Sequence, residues 1–263
     1  MSFLAVILTS AAADTLDLLW PSPLLKLQDS VAASNNKALR KAVLRLASAH
    51  PGVRKTNHGG WQSDVDLFER EDKPIILLRT RAYHAVFRYL QAMAPSGAEG
   101  RYEVSIGSAW ANVNNRTHMN TPHLHPGVQV SGVYYVDDGG DRSGGLRLID
   151  PRLQASMIPV PARWTRGMGE HIQVQAMPGM FVLFPAWLQH YVVAHNGTRP
   201  RISISFNIRL TFPTDAEDDQ TPRVIESTEQ PAARLPPKLS FTVPPHHQQS
   251  FLDSKLAQDM VVH

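Results

Sequence analysis

The stretch "HMNTPHLHPGVQVSGVYYV", residues 118–136, sets His123 and His125 one residue apart, with His118 shortly before them. In extended chain, side chains two residues apart project from the same face, so His123 and His125 can grip one ion together. Imidazole suits iron, zinc, copper and nickel, and three ligands on one side of such an ion leave positions open for substrate and oxidant. A His-x-His pair alone is a weak signal, because surface and core histidines are common. The candidate third ligand is His190, in "PGMFVLFPAWLQHYVVAHNGTRPRISISFN".

Shortly after His190 the chain alternates strictly. Arg201, Ser203, Ser205, Asn207 and Arg209 fall on one face, and Ile202, Ile204, Phe206, Ile208 and Leu210 on the other. An ordinary half-exposed strand has this pattern. If the polar face instead points into a barrel mouth, it is built to bind an anion, since a guanidinium can hold a carboxylate bidentately and a lysine does so less well. Asn112 shares a face with Trp110 in "SAWANVN" and is a candidate hydrogen-bonding partner for a ligand. Tyr134 and Tyr135 point to opposite faces, so at most one of them looks into such a site. Asp137 and Asp138 are alternative carboxylate ligands, but they enter a Gly-rich turn, where acidic residues are ordinary. His118 and His195 read as loop residues, His171 as the start of a strand, and His246-His247 as incidental.

The absence of cysteine excludes disulfides, thiolate ligands and thiol nucleophiles, so any metal must be held by His, Asp or Glu. The 26 Lys and Arg barely exceed the 23 Asp and Glu, and no block of five like charges occurs, so nucleic-acid binding gains no support. No segment approaches the ~20 apolar residues of a membrane span. The start "MSFLAVILTSAAAD" has the small residues of a signal-peptide end, but its apolar run is short and the first basic residue is Lys26. It reads as an early strand or a targeting remnant, and a cytoplasmic protein is expected.

These candidates need a scaffold. Ser34 or Asn35 can cap a helix in which Leu39, Ala42, Val43 and Leu46 recur at helical spacing until Pro51-Gly52 ends it. A second helix is predicted over Thr80–Met93. From residue 101 the period becomes two, with Tyr102, Val104, Ile106, Ser108 and Trp110 expected on one face. The segments "VQVSGVYYV", "LRLID", "HIQVQA", "MFVLFP", "HYVVA" and "RISISFNIRLTF" are strand-like and separated by Gly, Pro, Asn and Asp. Many short strands argue for a mainly β fold, an antiparallel sandwich or barrel with helices packed outside. Three regions result: an N-terminal extension at 1–17, a domain at 18–212, and a Pro-rich tail at 213–263 expected to be flexible or draped on the surface.

With these residues in place, the chain resembles the iron(II)- and 2-oxoglutarate-dependent oxygenases, and within them a branch known from marine bacteria, phages and algae. The matching blocks are "GGWQS" at 59–63, "SAWANVN" at 108–114, "HLHP" and "SGVYYV" within 123–136, "GGLRLIDPR" at 144–152, "PGMFVLFPAWLQH" at 178–190 and "RISISFN" at 201–207. The resemblance covers about residues 18–212. It implies a double-stranded β-helix (jelly roll) with Fe(II) at one mouth, 2-oxoglutarate as cosubstrate and O2 as oxidant. His123 and His190 match the two histidines of the family's metal triad. Arg201 matches the residue that pairs with the distal carboxylate of 2-oxoglutarate, and Ser203 the hydroxyl that assists it. Tyr135, Asn112 and Asn207 are further candidates for contact with cosubstrate or substrate.

The departure is His125, where the superfamily usually has Asp or Glu. It is expected as the third iron ligand, leaving more positive charge on the metal, with a place beside the metal as the other possibility. Halogenases of the superfamily have a small residue there, and His125 would fill that space, so halogenation is not expected. One alternative is a three-histidine cupin-type dioxygenase without cosubstrate. It lacks the expected Glu after His125 and leaves Arg201 without a duty. Another is a β-sandwich that binds a ligand without turnover. Small-molecule and peptidyl substrates both remain open, as does oligomeric state.

Overall fold

The computed structural model describes residues 21–29, 32–93, 101–142, 144–152, 157, 171–211 and 239–242. Its two helices are α1 (Ala32–Ala49) and α2 (Lys73–Met93). Both begin earlier than periodicity predicts. Asn35 is no cap: it lies inside α1, buried, and its amide donates to Pro74 O at 3.2 Å, tying the helices together. Pro74, which looks like a break in the sequence, sits in the first turn of α2, where a missing N–H costs nothing. The carbonyl of Asp72 accepts from the N–H groups of Ile75 and Ile76, so the helix starts seven residues before Thr80.

Twelve strands follow the chain: β1 (Leu25–Gln28), β2 (Asn57–His58), β3 (Trp61–Gln62), β4 (Arg101–Asn114), β5 (Met119–His123), β6 (Val130–Asp137), β7 (Leu146–Ile149), β8 (His171–Val174), β9 (Met180–Pro185), β10 (His190–Val192), β11 (Arg201–Thr211) and β12 (Leu239–Thr242). They form two sheets, β1-β9-β6-β11-β4-β12 with β3 also on β4, and β2-β5-β10-β7-β8. All the named strands pair antiparallel, in the sandwich that the strand pattern predicts and the jelly roll that the resemblance implies.

Each sheet face has its own core. The apolar face of β11, Ile202, Ile204, Phe206 and Ile208, packs with Leu39, Val43, Ile75, Leu78 and Val86 of the helices. The other core joins Val133 and Tyr135 of β6 and Val182 and Phe184 of β9 to Leu146, Leu148 and Val174 of the smaller sheet. The polar face of β11 is thereby turned into the space between the sheets.

The predicted single face of β4 is broken. Val104 and Ile106 lie in the helix-side core, as do Ala109, Ala111 and Val113, so the inward parity switches between 106 and 109. The register with β11 shifts there, Asn207 facing Ser108 and Ile208 facing Ile106, which leaves Gly107 as the extra residue of a β-bulge. Ser108, Trp110, Asn112 and Asn114 consequently face the opposite way from Val104 and Ile106.

Residues 53–66 strap the two sheets together. β2 pairs with β5 of the smaller sheet and β3 with β4 of the larger one, with Gly59 and Gly60 making the crossing. Gly59 has φ +76, a left-handed conformation that glycine adopts without strain. Gly60 lies so close to Asn114 Oδ1 that a Cβ would collide with it. Within the Pro-rich tail, β12 lies along β4, an ordered segment that composition does not announce. The N-terminal extension, His246-His247 and the rest of the tail lie outside the described residues. Among the described residues no helix is long and apolar enough to cross a membrane.

Candidate metal centre and its cavity

His123 ends β5 and His190 begins β10, and the two are paired across the strands. His125 lies just beyond β5, where its backbone N–H donates to Ala186 O at 3.0 Å and fixes the turn. The three imidazoles offer ligand atoms that all lie within 4.8 Å of one another. Their ring centroids are 4.4 Å apart for His123 and His190, and 5.1 Å apart for each of the other two pairs. Phe184 abuts His190 and Trp110 abuts His125, walling the cluster with aromatic rings.

Each ring is prepared to act as a neutral ligand. Nδ1 of His123 lies 2.8 Å from Thr121 O, and Nδ1 of His190 lies 2.8 Å from Leu188 O. A carbonyl only accepts, so these Nδ1 atoms carry the proton and the Nε2 lone pairs are left for an ion. Burial holds His190 down to about 3, helped by neighbouring His123. His125 falls to about 4, through burial and then the proximity of His123. Burial also lowers His123, partly offset by the Thr121 carbonyl. At neutral pH all three rings are uncharged. They fit a divalent transition metal, held without a carboxylate.

The cluster opens into a cavity of about 300 Å3 between the sheets. Arg201 lines it and is 2% exposed. Burial lowers its pKa, with Tyr135 and Asp141 acting the other way. Its Nη1 donates to Val193 O at 3.4 Å, whereas Nη2 is buried without a hydrogen-bond partner among the described residues. A buried guanidinium with an unmet donor is costly unless an anion enters to meet it. Gly144 permits the close fit, since a Cβ there would come within 2.7 Å of Arg201 Nη1. The site therefore presents a metal-competent cluster and an anion-competent cation on one cavity.

Of the other residues singled out by sequence, Ser203, Asn112, Asn207, Tyr135 and Trp110 all line this cavity. Tyr134 does not; its hydroxyl donates to Asn36 Oδ1 beneath the helices. His118 Nδ1 accepts from Asn115 N in a turn, and His195 is buried with Nε2 on Arg199 O. Asp137 and Asp138 cap the Gly139-Gly140 turn and face Arg40, Arg142 and Arg199. Sequence reasoning missed Lys55, Thr56, Gln62, Asn114, Asn120 and Ser131. Asn114 continues the alternation of Trp110 and Asn112 and was within reach of pattern reading. The strap residues were not, because only the tertiary crossing brings them to the cavity.

Residues 108–207, which contain all three histidines and Arg201, match the model of the family described as "Putative 2OG-Fe(II) oxygenase". Over that segment the chain is similar to the 2OG-Fe(II) oxygenases. This oxygenase is thus an iron- and 2-oxoglutarate-dependent enzyme that uses O2. No curated protein matches its sequence. Among solved structures it is similar to the epimerase SnoN of nogalamycin biosynthesis, at 15% identity over 82% of this chain and 91% of that one, with a TM-score of 0.54. The carbocyclase SnoK from the same biosynthesis matches at 12% identity over 75% and 85% of the two chains, with a TM-score of 0.51. A prolyl-4-hydroxylase of Pseudomonas putida matches at 17% identity over 71% and 91%, with a TM-score of 0.49. At these identities the likeness to SnoN and SnoK speaks for the fold of the oxygenase.

Proposed function

We propose that His123, His125 and His190 hold the Fe(II) and that Arg201, assisted by Ser203, holds the distal carboxylate of 2-oxoglutarate, the catalytic unit being residues 18–212. The observation that carries this reading is the shared cavity: three convergent neutral imidazoles, and a buried guanidinium with an unmet Nη2 donor. When bound, iron and 2-oxoglutarate supply the oxidant that attacks a substrate C–H bond as the cosubstrate is converted to succinate and CO2.

The chain's own residues then have distinct tasks. Nδ1 protons on the Thr121 and Leu188 carbonyls fix the orientation of His123 and His190. A guanidinium can hold a carboxylate bidentately, so Arg201 would set the direction of the cosubstrate, in a cavity that Tyr135 and Asn112 also line. Phe184 and Trp110 exclude water from the histidine cluster. The substrate is a small molecule or a peptidyl side chain.

The test is an anaerobic titration of metal-free protein with Fe(II) and then 2-oxoglutarate, following the visible metal-to-ligand charge-transfer band. A band that weakens in His125→Ala and in Arg201→Ala supports the whole assignment. A band that survives His125→Ala removes that residue from the ligand set. No band with iron demonstrably bound would favour a centre that works without the cosubstrate.

A further inference from the structure

The strap brings a cation to the histidine side of the cavity. Asn57 opposes Asn120 in the pairing of β2 with β5, and Thr121 N donates to Thr56 O at 2.9 Å. Continuing that antiparallel register sets Lys55 beside Pro122, the neighbour of His123. The position is held from within the strap. Lys55 N donates to Asn57 Oδ1 at 2.7 Å, and Asn57 Nδ2 donates to Gly60 O at 2.6 Å and to Val53 O at 3.1 Å. Lys55 lines the cavity and is exposed, so its charge stands at the opening rather than in the core.

That charge is unmatched. Elsewhere the cations face carboxylates: Arg40 with Asp137, Arg70 with Asp72, Arg142 with Asp138 and Arg152 with Asp150. Among the described residues no carboxylate pairs with Lys55, and no Asp or Glu lines the cavity. The candidate metal ligands add no negative charge either, since all three are imidazoles. A metal dication on neutral rings, with Arg201 and Lys55, exceeds in positive charge what the cosubstrate dianion brings. The occupied cavity therefore keeps a positive surplus, and a cleft lined by one sign of charge draws in ligands of the other.

Apolar surface stands beside the same opening. Leu124, between His123 and His125, lines the cavity and is 49% exposed. Val65 lines it too, at 53% exposed, and its carbonyl accepts from Ala109 N at 2.8 Å. Trp110, the next residue of β4, completes this side, with its ring centroid 5.8 Å from that of His125. A ligand that covers these side chains gains by removing apolar area from water. A purely polar anion would leave that gain unused.

Resting on the iron and cosubstrate assignment above, we infer that Lys55 is a specificity-determining residue, and that the prime substrate is an apolar molecule bearing a carboxylate that pairs with it. The carboxylate meets the Lys55 ammonium while the apolar body lies on Leu124, Val65 and Trp110. This arrangement brings a C–H bond of that body to the histidines. A small carboxylic acid and the C-terminal residue of a peptide share this chemistry.

The experiment uses N-acetyl-L-leucine (anionic), N-acetyl-L-leucinamide (neutral), L-leucinamide (cationic) and N-acetylglycine (anionic without the apolar body). Each is titrated into the full chain loaded with redox-inert Zn(II) and saturating 2-oxoglutarate, and binding is read by saturation-transfer NMR. N-acetyl-L-leucine should bind at least about threefold tighter than each of the others, the size expected of an ion pair open to solvent. Lys55→Gln should erase its advantage over N-acetyl-L-leucinamide, Lys55→Arg should keep it, and Lys55→Glu should turn the preference towards L-leucinamide. No binding of N-acetyl-L-leucine, or a neutral or cationic probe that matches it, overturns the inference. So does an advantage that survives Lys55→Gln, since the metal or Arg201 would then be its source. Equal binding of N-acetylglycine removes the apolar half, and displacement of 2-oxoglutarate by N-acetyl-L-leucine places the probe in the wrong site; either sinks the inference as stated. A peptide, N-acetyl-Ala-Ala-Leu with a free carboxyl group, separates the sources: tighter binding than N-acetyl-L-leucine points to a peptide C-terminus and equal or weaker binding to a small acid, and both support the shared chemistry. The charge-transfer band is recorded first with Fe(II). A band followed by a neutral-first or cation-first ranking sinks this inference alone, whereas no band sinks the cosubstrate assignment and this inference with it.

Discussion

At the residue scale, the site depends on groups whose state is set by burial rather than by their type. Arg201 is the clearest case, since a buried guanidinium with an unmet Nη2 has little to do but meet an anion. Arg201→Ala should weaken 2-oxoglutarate binding by about 2–3 kcal/mol, roughly 30–150-fold, as expected for loss of a charge-assisted hydrogen bond. Arg201→Lys should recover only part of this, because a point charge cannot reproduce the fork; isothermal titration on Zn(II)-loaded protein measures both, and full recovery by lysine would speak against bidentate contact. Metal content separates the histidines. His123→Ala and His190→Ala should each lose most bound iron after dialysis, whereas His125→Asp should keep it, because a carboxylate can occupy the same corner. Retention of iron by His190→Ala would require a different ligand set. The sequence displayed His123, His125, His190 and Arg201 as candidates, but it could not show that Asp137 and Asp138 are engaged with the Gly139-Gly140 turn and with arginines instead.

At the element scale, short strands and one bulge decide where side chains point. The bulge at Gly107 lets Val104 and Ile106 serve the helix-side core while Ser108, Trp110, Asn112 and Asn114 line the cavity. A strict two-residue period over β4 cannot express this, because one extra residue reverses the parity of everything after it. The strap poses the same difficulty. β2 and β3 have two residues each, too few for any periodicity, yet they join opposite sheets. Gly60→Ala should therefore do more than a surface change. Its Cβ would push on Asn114, and a loss of about 1–3 kcal/mol is expected from overpacking. Urea denaturation checks the stability, and the same variant should bind 2-oxoglutarate more weakly in isothermal titration because the strap walls the cavity. Unchanged stability and 2-oxoglutarate binding would show that the strap can shift without consequence.

At the scale of the whole molecule, one strand serves two purposes. β11 presents Ile202, Ile204, Phe206 and Ile208 to the helices and Arg201, Ser203, Ser205 and Asn207 to the cavity, so the fold's stability and its chemistry share a backbone. Phe206 is fully buried between Phe68 and Phe181. Phe206→Ala should cost about 3–5 kcal/mol by the usual cavity-forming loss, read as a lower urea midpoint with unchanged slope. A milder loss would mean that the neighbouring rings collapse into the space. The alternation of β11, the cysteine-free choice of ligands, the three histidines and the strand-rich character were determined by the sequence itself, because they rest on residue type and local period, which need no partner. Tertiary structure alone decided that the polar face of β11 points between the sheets rather than to water. It also decided that Asn35 ties two helices rather than capping one, and that Lys55 of the strap and Arg201 of β11 line the same cavity. These facts depend on which strands pair and at what register, and such contacts join residues far apart in the chain that no local pattern connects.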